Sequence, residues 1–306
     1  MPAKAFVLGY GVMDKCCTGW HTSVVITLME DSSMVVDFHV HCFPDALAPR
    51  AIPKLAANGG IEPHLNGTVS DLRHSMKEAG ISLSVVQPVA TRPQQVRRIN
   101  EWAAAEQAYG LTVPNQAGPR LVFFGALHPD LVDWRAEIGR IKSDGLPGVK
   151  FHPDYQDFFV DEERMWPVYE TLFREGLVIL FHAGVDIGLP PPVHCAPERL
   201  ARVLCQFPGG RIVAAHMGGF RCWEEVARYL VGSEIYFDTS FSYAELGSAG
   251  MTRLIKAHGA DRVLFGTDSP WTGQHEELIK ISNLDLPPDD RDRILYQNAS
   301  TLLKLS

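Results

Sequence analysis

One stretch of the chain discriminates between the possible folds: Met34-Val35-Val36-Asp37-Phe38-His39-Val40, followed by His41-Cys42-Phe43-Pro44. Its first part is a short apolar run, and seven similar runs follow along the chain, as expected of strands buried on both faces. The eight predicted strands are residues 34–40, 82–88, 121–127, 148–152, 177–182, 211–216, 234–239 and 262–267. Helical patterns separate them, which indicates parallel strands joined by crossover helices.

Eight strands are the number that closes a (β/α)8 barrel, and a chain of 306 residues is long enough for one. The alternative is an open, doubly wound sheet. It fits less well because no glycine-rich phosphate loop follows the first strand. The sequence therefore predicts an α/β fold, a distorted TIM barrel formed by residues 34–306 as a single domain. Residues 1–33 are expected to be a short N-terminal extension of unclear role.

The composition argues against several classes of function. Lys and Arg total 28 and Asp and Glu total 36, a net charge of −8, and no basic run could track a phosphate backbone. We therefore expect no binding to nucleic acid or to a membrane surface, and a small molecule as the partner. The six cysteines include no CxxC pair, and no signal peptide or membrane-spanning run is evident. These features favour free thiols in the cytoplasm.

The first strand carries Asp37, His39 and His41 at alternating positions, so all three are predicted to project into the barrel. Asp37 lies deeper and is expected to satisfy buried backbone groups. The two imidazoles can converge on one cation, at about 2.0–2.1 Å for a Zn–N bond. Because buried polar groups are costly unless something satisfies them, the pattern indicates a metal site at this strand end, where barrel enzymes hold their active sites.

Other strands also end in polar residues, which a closed barrel would bring to the same rim. These residues are Lys150 and His152, His182, His216, and Asp268, at the ends of the fourth, fifth, sixth and eighth predicted strands. His128 ends the third strand and has either a pocket role or a structural one. Asp238 ends the seventh, where it either hydrogen-bonds a ligand histidine or caps a loop. So many strand-end histidines and aspartates are hard to explain by packing alone.

These motifs resemble those of the amidohydrolase superfamily. The resemblance rests on residues 36–41, 149–153, 180–184, 215–219 and 265–270, and it extends from about Met34 to the C terminus. Within the superfamily the match is to the branch of metal-dependent TIM-barrel hydrolases and aminocarboxymuconate-semialdehyde-decarboxylase-like enzymes. The HxH and Gly-Thr-Asp-Ser-Pro motifs are specific in combination and weak when taken separately.

The resemblance implies a role for each matching residue. It implies that His39, His41 and His182 bind a metal ion, and that Asp268 binds the metal or the attacking water. It implies that His216 acts as an acid/base group or polarises an oxyanion. Such a ligand set suits one Zn²⁺, with Mn²⁺ or Fe²⁺ as alternatives. Homo-oligomerisation is also an expectation from the resemblance.

Lys150 leaves two interpretations open. Binuclear members of the superfamily carry a carboxylated lysine at this position, and in that case His216 would bind a second metal. If Lys150 stays an ammonium group, it would bind a substrate carboxylate. We favour one metal, with Lys150, His152 and His128 as substrate-binding residues.

Two reactions fit this site. The favoured one is hydrolysis of an amide, lactone or related carbonyl in a small, carboxylated substrate, with Asp268 taking the proton of the attacking water. The alternative is non-oxidative decarboxylation of an unsaturated or aromatic acid, with His216 or the metal water protonating carbon and Lys150 or an arginine holding the carboxylate. A non-catalytic metal-binding barrel is disfavoured because structural Zn²⁺ is usually closed by four ligands.

Overall fold

The computed structural model describes residues 34–112 and 118–305. The predicted N-terminal extension, residues 1–33, lies outside the described residues. Within the described part of the chain, no helix is both long and apolar enough to cross a bilayer.

Short strands, each parallel to its neighbours, form the centre of the described chain. They are β1 (Val36–Val40), β2 (Leu83–Val86), β3 (Arg120–Phe123), β4 (Gly125–Ala126), β5 (Gly148–Phe151), β6 (Val178–Phe181), β7 (Ile212–Ala214), β8 (Tyr236–Asp238) and β9 (Val263–Leu264). They pair in sequence order as two sheets, β1 to β3 and β4 to β9. The strand predicted at residues 121–127 is therefore divided into β3 and β4. The division is local, because the intervening Phe124 N–H still donates to Val86 O at 3.0 Å.

Backbone hydrogen bonds also join the first strand to the segment that contains and follows the last. Phe38 N–H donates to Phe265 O at 2.7 Å, Asp268 N–H to His39 O at 2.8 Å, and His41 N–H to Ser269 O at 2.6 Å. The first and last strands are thus neighbours, as a (β/α)8 barrel requires. The predicted α/β TIM-barrel fold is confirmed.

Helices follow the strands around the barrel. They are α1 (Ala48–Gly59), α2 (Val69–Ala79), α3 (Val96–Thr112), α4 (Trp134–Ser143), α5 (Pro153–Gln156), α6 (Trp166–Arg174), α7 (Pro197–Gln206), α8 (Trp223–Tyr229), α9 (Tyr243–His258), α10 (Gln274–Ser282), α11 (Pro288–Asp292) and α12 (Asn298–Leu303). Three short 3₁₀ turns (Pro93–Gln95, Glu163–Met165 and Ala260–Arg262) and a π-helical turn (Arg293–Gln297) complete the described elements. A side-chain cap begins α2, where the Thr68 hydroxyl accepts the Asp71 N–H at 3.2 Å.

The first strand departs from the alternation that its sequence predicts. Its pairing with β2 is irregular between Asp37 and Val40. The Asp37 carboxylate accepts hydrogen bonds from the Thr267 hydroxyl at 2.7 Å and from Gln274 of α10 at 2.8 Å. The prediction that Asp37 shares the pocket face with His39 is therefore wrong. Its expected role of satisfying buried backbone groups is confirmed, because it also accepts the N–H groups of His39 and Thr267.

Candidate active site

The site begins with three side chains that meet where the first strand adjoins the last. His39 lies in β1, His41 directly follows β1, and Asp268 follows β9. One ligand atom from each lies within 4.8 Å of the other two. Asp268 Oδ1 is 3.1 Å from His41 Nε2 and 3.5 Å from His39 Nε2. Closure of the barrel thus brings together three of the four predicted metal ligands.

Hydrogen bonds on the far side of each imidazole fix its orientation. His39 Nδ1 lies 2.9 Å from Asp238 Oδ2, and His41 Nδ1 lies 2.8 Å from Gln87 O. Because these oxygens only accept, Nδ1 carries the proton in each neutral ring and Nε2 holds a lone pair. Burial, reinforced by the Lys150 charge, lowers the pKa of His39 to about 4, so that ring is neutral near pH 7. Both lone pairs are directed toward Asp268, which is the state that a metal ion requires.

The Asp268 carboxylate supplies the negative charge of this group. Burial alone raises the pKa of Asp268, but contact with His41 and the charge that His39 carries once it is protonated in acid overcome that effect and lower it to about 2. An ionised oxygen therefore faces the nitrogen lone pairs. Such acceptors repel one another unless a proton or a cation lies among them.

A second set of contacts links His39 to His216, which follows β7. The Ser240 hydroxyl lies 3.1 Å from His39 Nδ1 and 2.9 Å from His216 Nδ1, and it donates a short hydrogen bond to Asp238. Asp238 Oδ1 also accepts the backbone N–H groups of His216 at 3.0 Å and Ser240 at 3.1 Å. The predicted bond from a candidate ligand histidine to Asp238 is confirmed. Sequence reasoning missed Ser240, although it lies two residues beyond Asp238 in the same alternating run.

His182, the fourth predicted ligand, lies outside the His39–His41–Asp268 group. Its Nδ1 is 3.0 Å from His216 Nε2. His216 Nδ1 faces the carbonyl of Ser240 at 3.1 Å, so in the neutral ring His216 Nε2 accepts and His182 Nδ1 donates. Burial lowers the pKa of His182 well below its usual value, which keeps that ring neutral. His182 Nε2 is left as a buried lone pair without a hydrogen-bond partner.

His152 stacks on His182, with ring centroids 4.1 Å apart and planes 9° from parallel. His152, His182 and Asp186 also form a group that could hold a metal ion. However, His152 Nδ1 accepts the Tyr155 N–H at 3.4 Å, so in the neutral ring Nε2 carries the proton, 3.3 Å from Asp186 Oδ2. In this tautomer His152 has no free lone pair for a metal. Nothing in the sequence pattern pointed to Asp186, which lies in the loop after β6.

Lys150 of β5 lies inside the site. Its side chain is buried, and its Nζ is 3.3 Å from His39 Nε2. Burial lowers the pKa of Lys150 to about 8, so most of the amine carries a proton near pH 7. His128 is buried too, but its Nδ1 accepts the Asp130 N–H at 3.2 Å, a local turn contact that favours the structural alternative. Substrate binding by Lys150, His152 and His128 stays a prediction.

Comparison with known protein families shows the family of the chain. A family model described as Amidohydrolase matches residues 36–305. The chain belongs to the amidohydrolase family. No curated protein matches this amidohydrolase significantly.

Several solved structures share its fold. An uncharacterised TIM-barrel protein from Bordetella bronchiseptica is 21% identical, with 89% of this chain and 98% of that chain covered and a TM-score of 0.69. A 2,6-dihydroxybenzoate decarboxylase from Rhizobium is 18% identical, with 89% of this chain and 99% of that chain covered and a TM-score of 0.65. A 5-carboxyvanillate decarboxylase from Novosphingobium aromaticivorans is 15% identical, with 89% of this chain and 96% of that chain covered and a TM-score of 0.65. Its structure is a complex with manganese and 4-hydroxy-3-methoxy-5-nitrobenzoic acid. At these identities the likeness shows the fold alone.

The residues of this amidohydrolase fit the divalent ion on which its superfamily depends. His39 and His41 present nitrogen lone pairs to the ionised Asp268, and the buried His182 Nε2 lacks a hydrogen-bond partner. A buried acceptor without a partner costs free energy that a bound cation would recover. Imidazole and carboxylate ligands together suit first-row divalent metals such as Zn²⁺, Mn²⁺ and Fe²⁺.

Proposed function

We propose that this amidohydrolase is a metal-dependent, non-oxidative decarboxylase of a small aromatic or unsaturated carboxylic acid in the cytoplasm. The observation that carries the proposal is the buried Lys150 ammonium group, 3.3 Å from His39 in the His39–His41–Asp268 group. The charges of Asp238 and Asp268 favour its protonated form, and a substrate carboxylate would give it a direct anionic partner beside the metal ligands. The decarboxylases among the similar structures, which act on aromatic acids by their names, support the same reaction.

The proposed ligands are His39, His41 and Asp268, with His182 as the predicted fourth. We propose one ion, with Zn²⁺ the first choice and Mn²⁺ the alternative, since the manganese complex of the similar decarboxylase makes Mn²⁺ a realistic candidate. When bound, the ion acts as a Lewis acid that polarises a substrate oxygen and offsets developing charge. Asp238 and Gln87 O hold the imidazoles in the tautomer that binding requires.

The chain's own residues account for the remaining steps. Lys150 holds the carboxylate beside His39. The imidazolium form of His216, which carries a proton on both ring nitrogens, gives its Nε2 proton to the carbon that bears the carboxylate, and the bond from this carbon to the carboxylate carbon then breaks. The electron pair of that bond restores the unsaturated system, CO2 leaves, and a proton from solvent returns the neutral His216 to the imidazolium form. Ser240, in contact with His216 Nδ1, orients this ring during the transfer.

Hydrolysis remains the second candidate because one feature of the site favours it. The pKa of Asp268 is lowered to about 2, so its carboxylate is available near pH 7 to accept a proton from an attacking water. This reaction would act on an amide or lactone and would release no CO2.

Product analysis separates the two reactions. We would incubate metal-loaded protein with a panel of aromatic acids and, in parallel, with amides and lactones, measuring CO2 release and ester or amide cleavage. The proposal expects CO2 release from at least one acid, and its loss by about 10²-fold or more in His216→Gln. The matched control is His74→Gln, since His74 is exposed on α2 with 68% of its side chain accessible. Cleavage of an amide or lactone without CO2 release from any acid would establish the hydrolase instead.

A further inference from the structure

A cavity of about 420 Å³ lies at the catalytic end of the barrel. Apolar side chains make up much of its wall: Ile61, Ile187, Phe220, Phe241 and Tyr243. All of them except Phe220 are only partly buried, so apolar surface faces open space instead of the core. Concave apolar surface of this size is typical of a small-molecule site.

The cavity adjoins the proposed reaction centre. Ile187, Phe220 and Phe241 follow β6, β7 and β8, on the carboxyl-end rim where TIM barrels bind their substrates. The Phe220 ring centroid is 6.3 Å from that of His216, whose centroid is in turn 5.3 Å from that of His39. Phe220, which lines the cavity, is therefore a direct neighbour of His216, which in turn lies against His39. A substrate that presents its carboxylate to Lys150 and its reacting carbon to His216 would extend its ring into the cavity.

The backbone holds Phe241 in this wall in a conformation that bulky residues rarely adopt. Its φ is 53°, and that of Arg221, also in the wall, is 56°. A phenylalanine with positive φ is a genuine outlier, and such conformations persist where the surrounding structure imposes them, often at ligand sites. The Phe241 ring lies 5.6 Å from the Phe220 ring at 56°, which gives the cavity an aromatic wall.

The three charged residues in the wall, Arg221, Glu245 and Glu277, are already paired, Glu277 with Lys280 at 2.6 Å. The Arg221 guanidinium donates two hydrogen bonds to Glu245 Oε1, at 2.8 and 2.6 Å, and lies 5.1 Å from the Phe220 ring centroid. Arg221 is thus not needed to bind the substrate carboxylate, a role that falls to Lys150. The cavity suits the uncharged part of a substrate.

We propose that this cavity binds the aromatic ring of the substrate and that Phe241 is a specificity-determining residue for it. The proposal rests on the proposed function for the placement of the carboxylate, but the binding of a ring can be tested without turnover. Benzoate is the probe with a ring, and acetate is the probe with a carboxylate and no ring.

The test compares Phe241→Ala and Phe241→Asn with the wild type, as full-length, Mn²⁺-loaded proteins titrated calorimetrically with benzoate. Asparagine tolerates positive φ, so the two variants remove the ring with different backbone preferences. Both should raise the Kd for benzoate about tenfold, or about 1.4 kcal/mol. Acetate, measured as a competitor, should bind as it does to the wild type. Phe173→Ala removes a half-buried phenylalanine of α6 and is the matched control, expected to bind benzoate normally.

Several results would overturn the inference: no benzoate binding to the wild type, an unchanged Kd in the Phe241 variants, an effect in the alanine variant only, or a parallel loss of acetate binding. A failure of the proposed function looks different. In that case benzoate binding still depends on Phe241, while no acid on the panel releases CO2. Conversely, CO2 release with a Kd that is insensitive to Phe241 would retain the decarboxylase and reject the ring site.

Discussion

Asp238→Asn should weaken metal binding while leaving every proposed ligand in place. Asp238 Oδ2 accepts the Nδ1–H of His39 at 2.9 Å, and Oδ1 accepts two backbone N–H groups and the Ser240 hydroxyl. An amide has one oxygen where the carboxylate has two. Its NH2 group must then face either His39 Nδ1, which can accept only after a change of tautomer, or the donors around Oδ1, two of which are backbone N–H groups that cannot accept at all.

The expected increase in the Kd for the metal follows from the hydrogen bond between Asp238 and His39 that the substitution weakens or removes. A hydrogen bond to a charged group contributes about 1.5–3 kcal/mol, and loss of a group that orients a metal ligand typically costs about 10–100-fold in affinity, which equals about 1.4–2.7 kcal/mol. We therefore expect the Kd for Zn²⁺, measured by competition with a chelator of known affinity, to rise by a factor in that range. The hydrogen-bond energy and the typical loss of metal affinity therefore give the same range.

Asp37→Asn is the matched control, because Asp37 is also a fully buried strand aspartate, two residues from His39. Its carboxylate accepts hydrogen bonds from Thr267 and Gln274. None of the hydrogen bonds described for this carboxylate involves an imidazole nitrogen. This variant should lower the free energy of unfolding but leave the Kd for Zn²⁺ within about twofold. If Asp238→Asn and Asp37→Asn changed the Kd equally, the tautomer argument would be refuted.

Three further predictions address other parts of the site. Ser240→Ala should retain its metal but lower kcat about tenfold, which corresponds to the loss of one hydrogen bond. Its control is Ser242→Ala, which removes a buried hydroxyl that touches no imidazole and should leave kcat unchanged. In urea denaturation, Gly184→Ala should lower the free energy of unfolding by about 3 kcal/mol or more, because its Cβ would lie 2.2 Å from a backbone nitrogen. Gly209→Ala is the control: Gly209 has a similar φ but open space around it, so the loss should be about 1 kcal/mol. Lys150→Met should abolish CO2 release with one metal per chain retained in elemental analysis; loss of an ion would show instead that a carboxylated lysine bridges two.

The sequence was most informative where the period of a strand and the closure of the barrel act together. Alternation along β1 places His39 and His41 on one face, and the adjacency of first and last strands brings Asp268 to them, although 227 residues separate Asp268 from His41. Asp37 breaks the pattern because β1 is irregular just after it, and the residue turns to α10. Local pairing irregularities of this kind leave no mark in a pattern of apolar and polar residues.

Side-chain tautomers were beyond the reach of the sequence, because each depends on a partner that packing supplies. Ser240 and Gln87 fix imidazoles through a hydroxyl and a backbone carbonyl, groups that occur throughout any protein. Asp186 likewise acquires its position from a loop, where its Oδ1 accepts the Gly188 N–H at 2.7 Å. The residue types at the strand ends therefore indicate where the site lies, but the protonation of its side chains can be assigned only from the folded structure.

That protonation pattern is the strongest support for the proposed cation at this end of the barrel. His39, His41 and His182 come from two different strands, and each has its Nδ1 proton committed to an acceptor: a carboxylate, a backbone carbonyl and another imidazole. Their Nε2 lone pairs are consequently all directed away from the scaffold. Lys150 supplies a donor to His39, and His182 Nε2, which lies 3.9 Å from Asp186 Oδ2, has no hydrogen-bond partner. A protein that needed only to satisfy buried histidines would alternate donors with acceptors, whereas the lone pairs of His39 and His41 beside the ionised Asp268 fit the proposed cation, with His182 as its predicted fourth ligand.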